Sequence, residues 1–153
     1  MENDAREQLR ILERAEAAPY ISYPPTPRWY APAIGAWAAA FIGAFTWWRE
    51  NTPLFAASLA GLILLELVFV TWMQRRHGAL PMPGRGRPPA EIGRVWSRYF
   101  VGLLVVCALV GLAWWRIGVA AGAATAFVTV TAGLAYYEYC YAQAAAEVRK
   151  RLG

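Results

Sequence analysis

The sequence predicts an all-α integral membrane protein: four transmembrane helices arranged as two hairpins, preceded by a short N-terminal amphipathic helix. Three observations predict it. The chain is 58% hydrophobic and 16% charged, whereas soluble domains average about 45–50% and about 25%. The apolar residues collect in four blocks, 30–48, 53–73, 99–115 and 117–141, each near the roughly 20 residues that cross a hydrocarbon core. Basic residues cluster before the first block, between the second and third, and after the fourth. Arg49 and Arg116 are the only ones in the other two connections.

Residues 1–29 form a cytoplasmic helix and a Pro-rich interfacial segment. Ala5, Leu9 and Leu12 recur at helical spacing over 4–17, and Asp4 with Glu7 suits a capping-box start. Arg6, Arg10 and Arg14 make an i, i+4 row on another face. Two arrangements fit: a helix lying along the inner membrane surface, or a solvated helix offering its leucines to a partner. Pro19, Pro24, Pro25 and Pro27 are expected to end that helix. Tyr20, Tyr23, Trp29 and Tyr30 should hold the following segment in the headgroup layer. No apolar core of signal-peptide type precedes the first block, so the mature protein is expected to keep its N-terminus.

The first block carries small residues four apart, Gly35, Ala39 and Gly43, and the fourth carries Gly118, Gly122 and Ala126. Helices in a bilayer associate through close backbone approach rather than a hydrophobic drive, so these two spans are expected to pack tightly. Trp47, Trp48, Arg49 close the first block and Trp114, Trp115, Arg116 close the third. Indole favours the headgroup layer and Arg can reach water from it, so both tripeptides read as interfacial anchors.

The second block contains Glu66, thirteen residues in. A carboxylate at such depth costs several kcal/mol (about 2.5–3.5 on insertion scales for Asp) unless paired, protonated or wetted. Candidate companions at similar depth are Arg98, Tyr99, Tyr136 and Tyr137, while Glu138, a further candidate, should reach the inner headgroup layer and approach Glu66 only loosely. An ion pair with Arg98 would be purely structural. A proton, cation or ligand site and a membrane-embedded acid catalyst are the other readings. On the fourth span, Thr125, Thr129 and Gly133 form a stripe that either returns its hydroxyls to the preceding turn or lines a polar face toward Glu66.

The loop 74–94 mixes glycines and prolines without an apolar period, and reads as irregular. Its His77, the lone histidine, has no metal-binding company and reads as a solvated loop residue. Cys107 and Cys140 should lie at different depths and stay free thiols. The tail 142–153 continues in helix-favouring residues and ends in Arg149, Lys150 and Arg151, a basic group suited to anionic lipid headgroups.

The run Tyr23, Pro24, Pro25, Thr26, Pro27, Arg28, Trp29, Tyr30, Ala31, Pro32 before an Ala/Gly-rich span resembles small uncharacterised four-span membrane proteins of high-GC actinobacteria. The resemblance covers about a tenth of the chain and implies no activity.

The net charge of +5 is accounted for by the positive-inside rule, which sets both termini and the central loop on the cytoplasmic side of a bacterial inner membrane. No nucleic-acid partner is needed to explain it. There is no His cluster, CxxC, GxSxG or glycine-rich phosphate loop, so neither a catalytic residue nor a metal or other cofactor is assigned. The expected function is a non-catalytic membrane module that binds a protein partner, a lipid or another copy of itself. The alternatives are a small proton- or cation-coupled carrier or channel built on Glu66 and, third, an acid-catalysed enzyme acting on an apolar substrate.

Overall fold

The computed structural model describes residues 2–22, 26–77 and 88–152, the side chains of 2–6 and of His77 excepted. Among them are five α-helices and no strand. They are α1 (Glu2–Ile21), α2 (Tyr30–Ala44) with a 3-10 turn (Phe45–Trp47), α3 (Thr52–His77), α4 (Ala90–Ile117) and α5 (Val119–Leu152). Three stretches, Thr52–Arg76, Ala90–Ile117 and Val119–Leu152, are long and apolar enough to cross a membrane. The 15 residues of α2 reach only about 22 Å.

Each boundary has a local cause. Asn51 caps α3, its side-chain oxygen accepting from the Leu54 N–H at 3.1 Å, which satisfies one of the donors left open at a helix start. Gly118 alone separates α4 from α5 and sits at φ 128°. Side-chain-bearing residues rarely adopt that conformation. Gly118 is therefore the hinge of a tight antiparallel hairpin, not a packing residue as expected, and a Cβ there would meet nothing within 4 Å.

Three sequence expectations need correction. α1 runs through Pro19 to Ile21: Pro19 has no N–H to give the Ala15 carbonyl, but the turn is held by the Ser22 N–H on the Ala18 carbonyl at 3.0 Å and by tertiary contacts that bury Tyr20. α4 starts at Ala90, so 90–94 are helical rather than irregular. Ile92, Val95 and Trp96, spaced for one helical face, are all buried and outweigh the loop-like composition around them. At the other end of that loop α3 extends to His77; the His77 side chain and residues 78–87 lie outside the described residues.

The long helices line up as a row, α3–α2–α5–α4, rather than closing into a ring. α5 packs along α2 on one side and α4 on the other, while α3 rests on α2 and the 3-10 turn. The α2–α5 crossing is closest at Gly35, where a Cβ would overlap the Thr131 hydroxyl and lie 2.9 Å from the Phe127 carbonyl oxygen. Lower on the same seam, Gly122 makes room for Trp114 and Ile42, and Ala126 is buried. Ala39 is half-buried, and Gly43 has open space where its Cβ would be.

Aromatic rings join α3 to α2. At one end Phe55 packs on Phe45 (5.1 Å between centroids) and on Trp48 (5.0 Å). At the other, Tyr30 stacks on Phe69 at 6.0 Å, and Trp29 packs on Phe69 and Trp72. Between them the Trp37 indole N–H donates to the Leu62 carbonyl at 3.1 Å.

α5 has 34 residues, about 51 Å of helix, well beyond a hydrocarbon core of about 30 Å. Its C-terminal part, the start of α4 and the end of α1 assemble into a small cap at one end of the row. Tyr20, Ile92, Val95, Trp96 and Ala144 form its core, and Val148 there is fully buried.

Candidate functional site

Glu66 is placed on the side of α3 that faces α2. The residues of α3 that are buried or half-buried, Phe55, Ser58, Leu59, Leu62, Phe69, Val70 and Met73, mark that side at helical spacing, and Glu66 falls between Leu62 and Phe69 in the same row. It is nevertheless exposed. Antiparallel register explains this: with Trp37 beside Leu62 and Tyr30 beside Phe69, the residue across from Glu66 is Ala33, itself exposed. At this level neither helix covers the other's side chain, and the contacts between α2 and α3 lie about one turn to either side.

Glu66 and Arg98 are not brought together. Arg98 sits on α4, with α2 and α5 intervening in the row, and no ion pair joins the two among the described residues. Arg98 instead lies within electrostatic reach of Tyr136, and the Tyr99 and Tyr137 rings meet at 5.0 Å. Tyr136 lies beside Cys140 one turn along α5, and both cysteines are free. Glu138 turns elsewhere, toward Thr26 in the segment between α1 and α2. The candidate residues thus divide into an isolated Glu66, an Arg98–tyrosine group on the α4–α5 seam, and a Glu138–Thr26 contact.

The threonine stripe shows the local arrangement: the Thr129 hydroxyl donates to the Thr125 carbonyl at 2.7 Å. Gly133 faces open space. Neither lies near α3. Of the anchor residues, Trp114 is drawn into the helix seam, its ring 5.1 Å from Phe45. Trp47 and Trp48 are exposed, and Trp115 is exposed with the Arg116 guanidinium 4.9 Å from its ring.

The cap is held by an exchange of helix ends. Arg14 of α1 donates to the Leu152 carbonyl of α5. In return, Arg149 of α5 donates to the Ile21 carbonyl of α1 at 3.1 Å, and the Tyr141 hydroxyl to the Tyr20 carbonyl at 2.9 Å. Each side chain satisfies carbonyls that a helix terminus leaves without intrahelical partners. Arg151 pairs with Glu13 and, at 3.4 Å, with Glu91. Between them opens a cavity of about 410 Å³ lined by Glu13, Glu16, Glu91 and Arg151 with Pro88 and Pro89.

Sequence reasoning missed Ile92, Val95 and Trp96 as a core face and Trp37 as the link between α2 and α3. For the first, the 92, 95, 96 spacing was the available signal. For Trp37 it was an indole placed mid-block, away from any interface where its N–H could find water. Comparison with protein-family models, curated proteins and solved structures finds no match to this chain.

Proposed function

We propose that this chain is a four-span protein of the bacterial inner membrane, with both termini and the cap in the cytoplasm, and that it acts as a non-catalytic module docking a protein partner through the cap. α2 and the 3-10 turn together extend about 28 Å, close to a hydrocarbon core, and Trp29 and Trp48 sit at their two ends where interfacial indoles belong. The basic residues of α1 and α5, with Arg94 and Arg98 of α4, belong to the cap end, and Arg116 alone of α4 belongs to the other, in keeping with the positive-inside rule.

The observation that carries the docking role is the direction of α1. Tyr20 meets Tyr141, and Glu13 and Arg14 meet Arg151 and Leu152, so α1 runs antiparallel to α5 and stands away from the row instead of lying flat along it. Its residues 2–12 project beyond Leu152 by about 16 Å. Leu9, Ile11 and Leu12 on that projection are 68%, 59% and 61% exposed, as a helix offered to a partner's groove requires.

The test compares the full chain with Leu9→Asp/Leu12→Asp, using photo-crosslinkers placed at Gln8 in cells. Adducts with a defined protein should form with the parent chain and vanish with the double variant, while helicity and the cap are retained. An unchanged adduct pattern would remove the reading. Reporter fusions at the termini test the topology independently: a periplasmic signal from either end would overturn it.

The exposure of Glu66 in a membrane-crossing helix favours a second reading, a small cation-coupled carrier. Proteoliposome flux that is unchanged by Glu66→Gln would end it.

A further inference from the structure

We infer that Arg94 and Arg98 of α4 form a headgroup site for an anionic phospholipid of the inner leaflet, whose acyl chains lie against the apolar face of α4 that continues from them. The inference rests on α4 crossing the membrane with the cap in the cytoplasm, and it is independent of the docking role given to α1.

Most cations at the cap end are already committed. Arg14 and Arg149 donate to the carbonyls of helix ends, Arg151 pairs with Glu13 and Glu91, and Arg76 lies over the Trp72 ring at 5.5 Å. Arg94 and Arg98 are both exposed, and neither pairs with a carboxylate among the described residues. Glu91, the one acid of α4, is held by Arg151, and Glu138 of α5 turns toward Thr26. This stretch of α4 therefore carries positive charge that the fold leaves uncompensated.

The basic C-terminal group is poorly placed for lipid by comparison. α4 and α5 are level where the Tyr99 and Tyr137 rings meet at 5.0 Å. Arg149 lies twelve residues farther along α5, about 18 Å beyond that level. Salt screens charge over about 8 Å under physiological conditions, so headgroups at the Tyr99 level are out of its reach. Arg98 is one residue from Tyr99, and Arg94 only about one turn beyond.

The spacing of the pair and the surface next to it select the ligand. Arg94 and Arg98 share one face of α4, about 6 Å apart along the axis, so their long side chains can converge on a single phosphate. Guanidinium groups present paired N–H donors that match phosphate oxygens. Tyr136 of α5, exposed and within electrostatic reach of Arg98, adds a phenol that can donate to the same group. The face then continues through Val101, Leu104 and Val105, all exposed, at the spacing that keeps them in line with the arginines. A soluble anion would use only the charged part of this surface. A phospholipid uses both parts at once, with its phosphate at the arginines and its chains along the apolar residues.

The test uses the full chain in detergent micelles, titrated with phosphatidylglycerol and, as zwitterionic control, phosphatidylcholine, with bound lipid counted by native mass spectrometry. Saturable binding of phosphatidylglycerol, at least fivefold tighter than phosphatidylcholine, is expected. Arg94→Gln/Arg98→Gln should reduce that preference below twofold. Arg10→Gln/Lys150→Gln removes the same charge from exposed positions of α1 and α5 and should leave the preference intact. Arg94→Lys/Arg98→Lys should recover part of it, and protection of α1 from proteolysis in each variant guards against misfolding. No preference in the parent chain, or equal loss in the two Gln variants, overturns the inference. So does displacement of the lipid by equimolar sn-glycerol 3-phosphate or by a glutamate-rich peptide, which would make the face a site for soluble anions or for a protein. A periplasmic signal from the reporter fusions would refute the inner leaflet and the proposed topology together, whereas lost lipid preference with cytoplasmic termini would refute the lipid site alone.

Discussion

The cap and the membrane-crossing part of this chain obey different packing rules, although α4 and α5 run through both. In the cap, Ile92 and Val148 are fully buried, Trp96 lies edge-on to Tyr20 at 5.9 Å, and charged side chains are kept to the rim. In the row, whole apolar faces are open: Leu64, Leu104 and Val128 are each more than 60% exposed, and close contact is confined to glycine notches and aromatic links. Water drives the first arrangement by expelling apolar surface. Lipid exerts no comparable push, so only backbone proximity, ring packing and the hydrogen bond at Trp37 hold the second. A protein can therefore be tightly built at one end and barely self-packed along the rest.

Substitution of like residues in the two regions should break the comparison most clearly if it is wrong. Ile92→Ala removes a fully buried side chain from the cap and should cost about 2–5 kcal/mol, releasing α1. Faster hydrogen exchange and proteolysis within Glu2–Ile21 would report it. Leu64→Ala on α3 deletes a side chain of similar size that faces outward, and should move thermal stability in nanodiscs by about 0.5 kcal/mol or less. Equal losses would mean that both regions are packed alike.

Within the row, glycine position should decide the outcome. Gly35→Ala brings a Cβ to 2.9 Å from the Phe127 carbonyl oxygen, a backbone atom that cannot swing aside. Overpacking of this kind costs about 1–3 kcal/mol and should lower the melting temperature of the α2–α5 pair. Gly43→Ala, from the same four-residue series, enters open space and should be neutral. Gly118→Ala falls between these. Its cost is backbone strain at φ 128°, about 1–3 kcal/mol, and should appear as local opening of the α4–α5 turn rather than separation of α2.

The helical class and the positions of the long apolar helices were legible because they rest on local composition, and small-residue spacing marked α2 and α5 as close-packing helices without saying that they meet each other. Gly35 and Gly43 show the limit: both satisfy the same spacing, yet only the one at the crossing point has a neighbour, and the crossing angle is not written in either residue. The Ile92–Trp96 face was readable in principle but hidden by surrounding Pro and Gly. Glu66 was legible as an anomaly, and its surroundings were not. Depth counting put Arg98 within reach, because counting along helices says nothing about their order side by side. Row order depends on the α2–α5 seam, which places α3 on the opposite flank from α4.

The smallest expected effect sharpens the comparison at the rim of the cap. Arg151 holds Glu13 and Glu91 together, but its side chain is 47% exposed and that of Glu13 49%. Water and salt therefore screen the Glu13 pair, while Glu91, 18% exposed, is screened less. Arg151→Ala should accordingly cost about 0.5–1 kcal/mol in low salt, and the part owed to Glu13 should fade at high ionic strength. α1 docking, followed by the fluorescence of Trp96 beside Tyr20, is the measurement. A loss as large as that of Ile92→Ala would mean that the cap is held by its charges, and that its resemblance to a water-driven core is superficial. A small, salt-dependent loss is what apolar burial predicts, with Arg14 and Arg149 still capping the two helix ends.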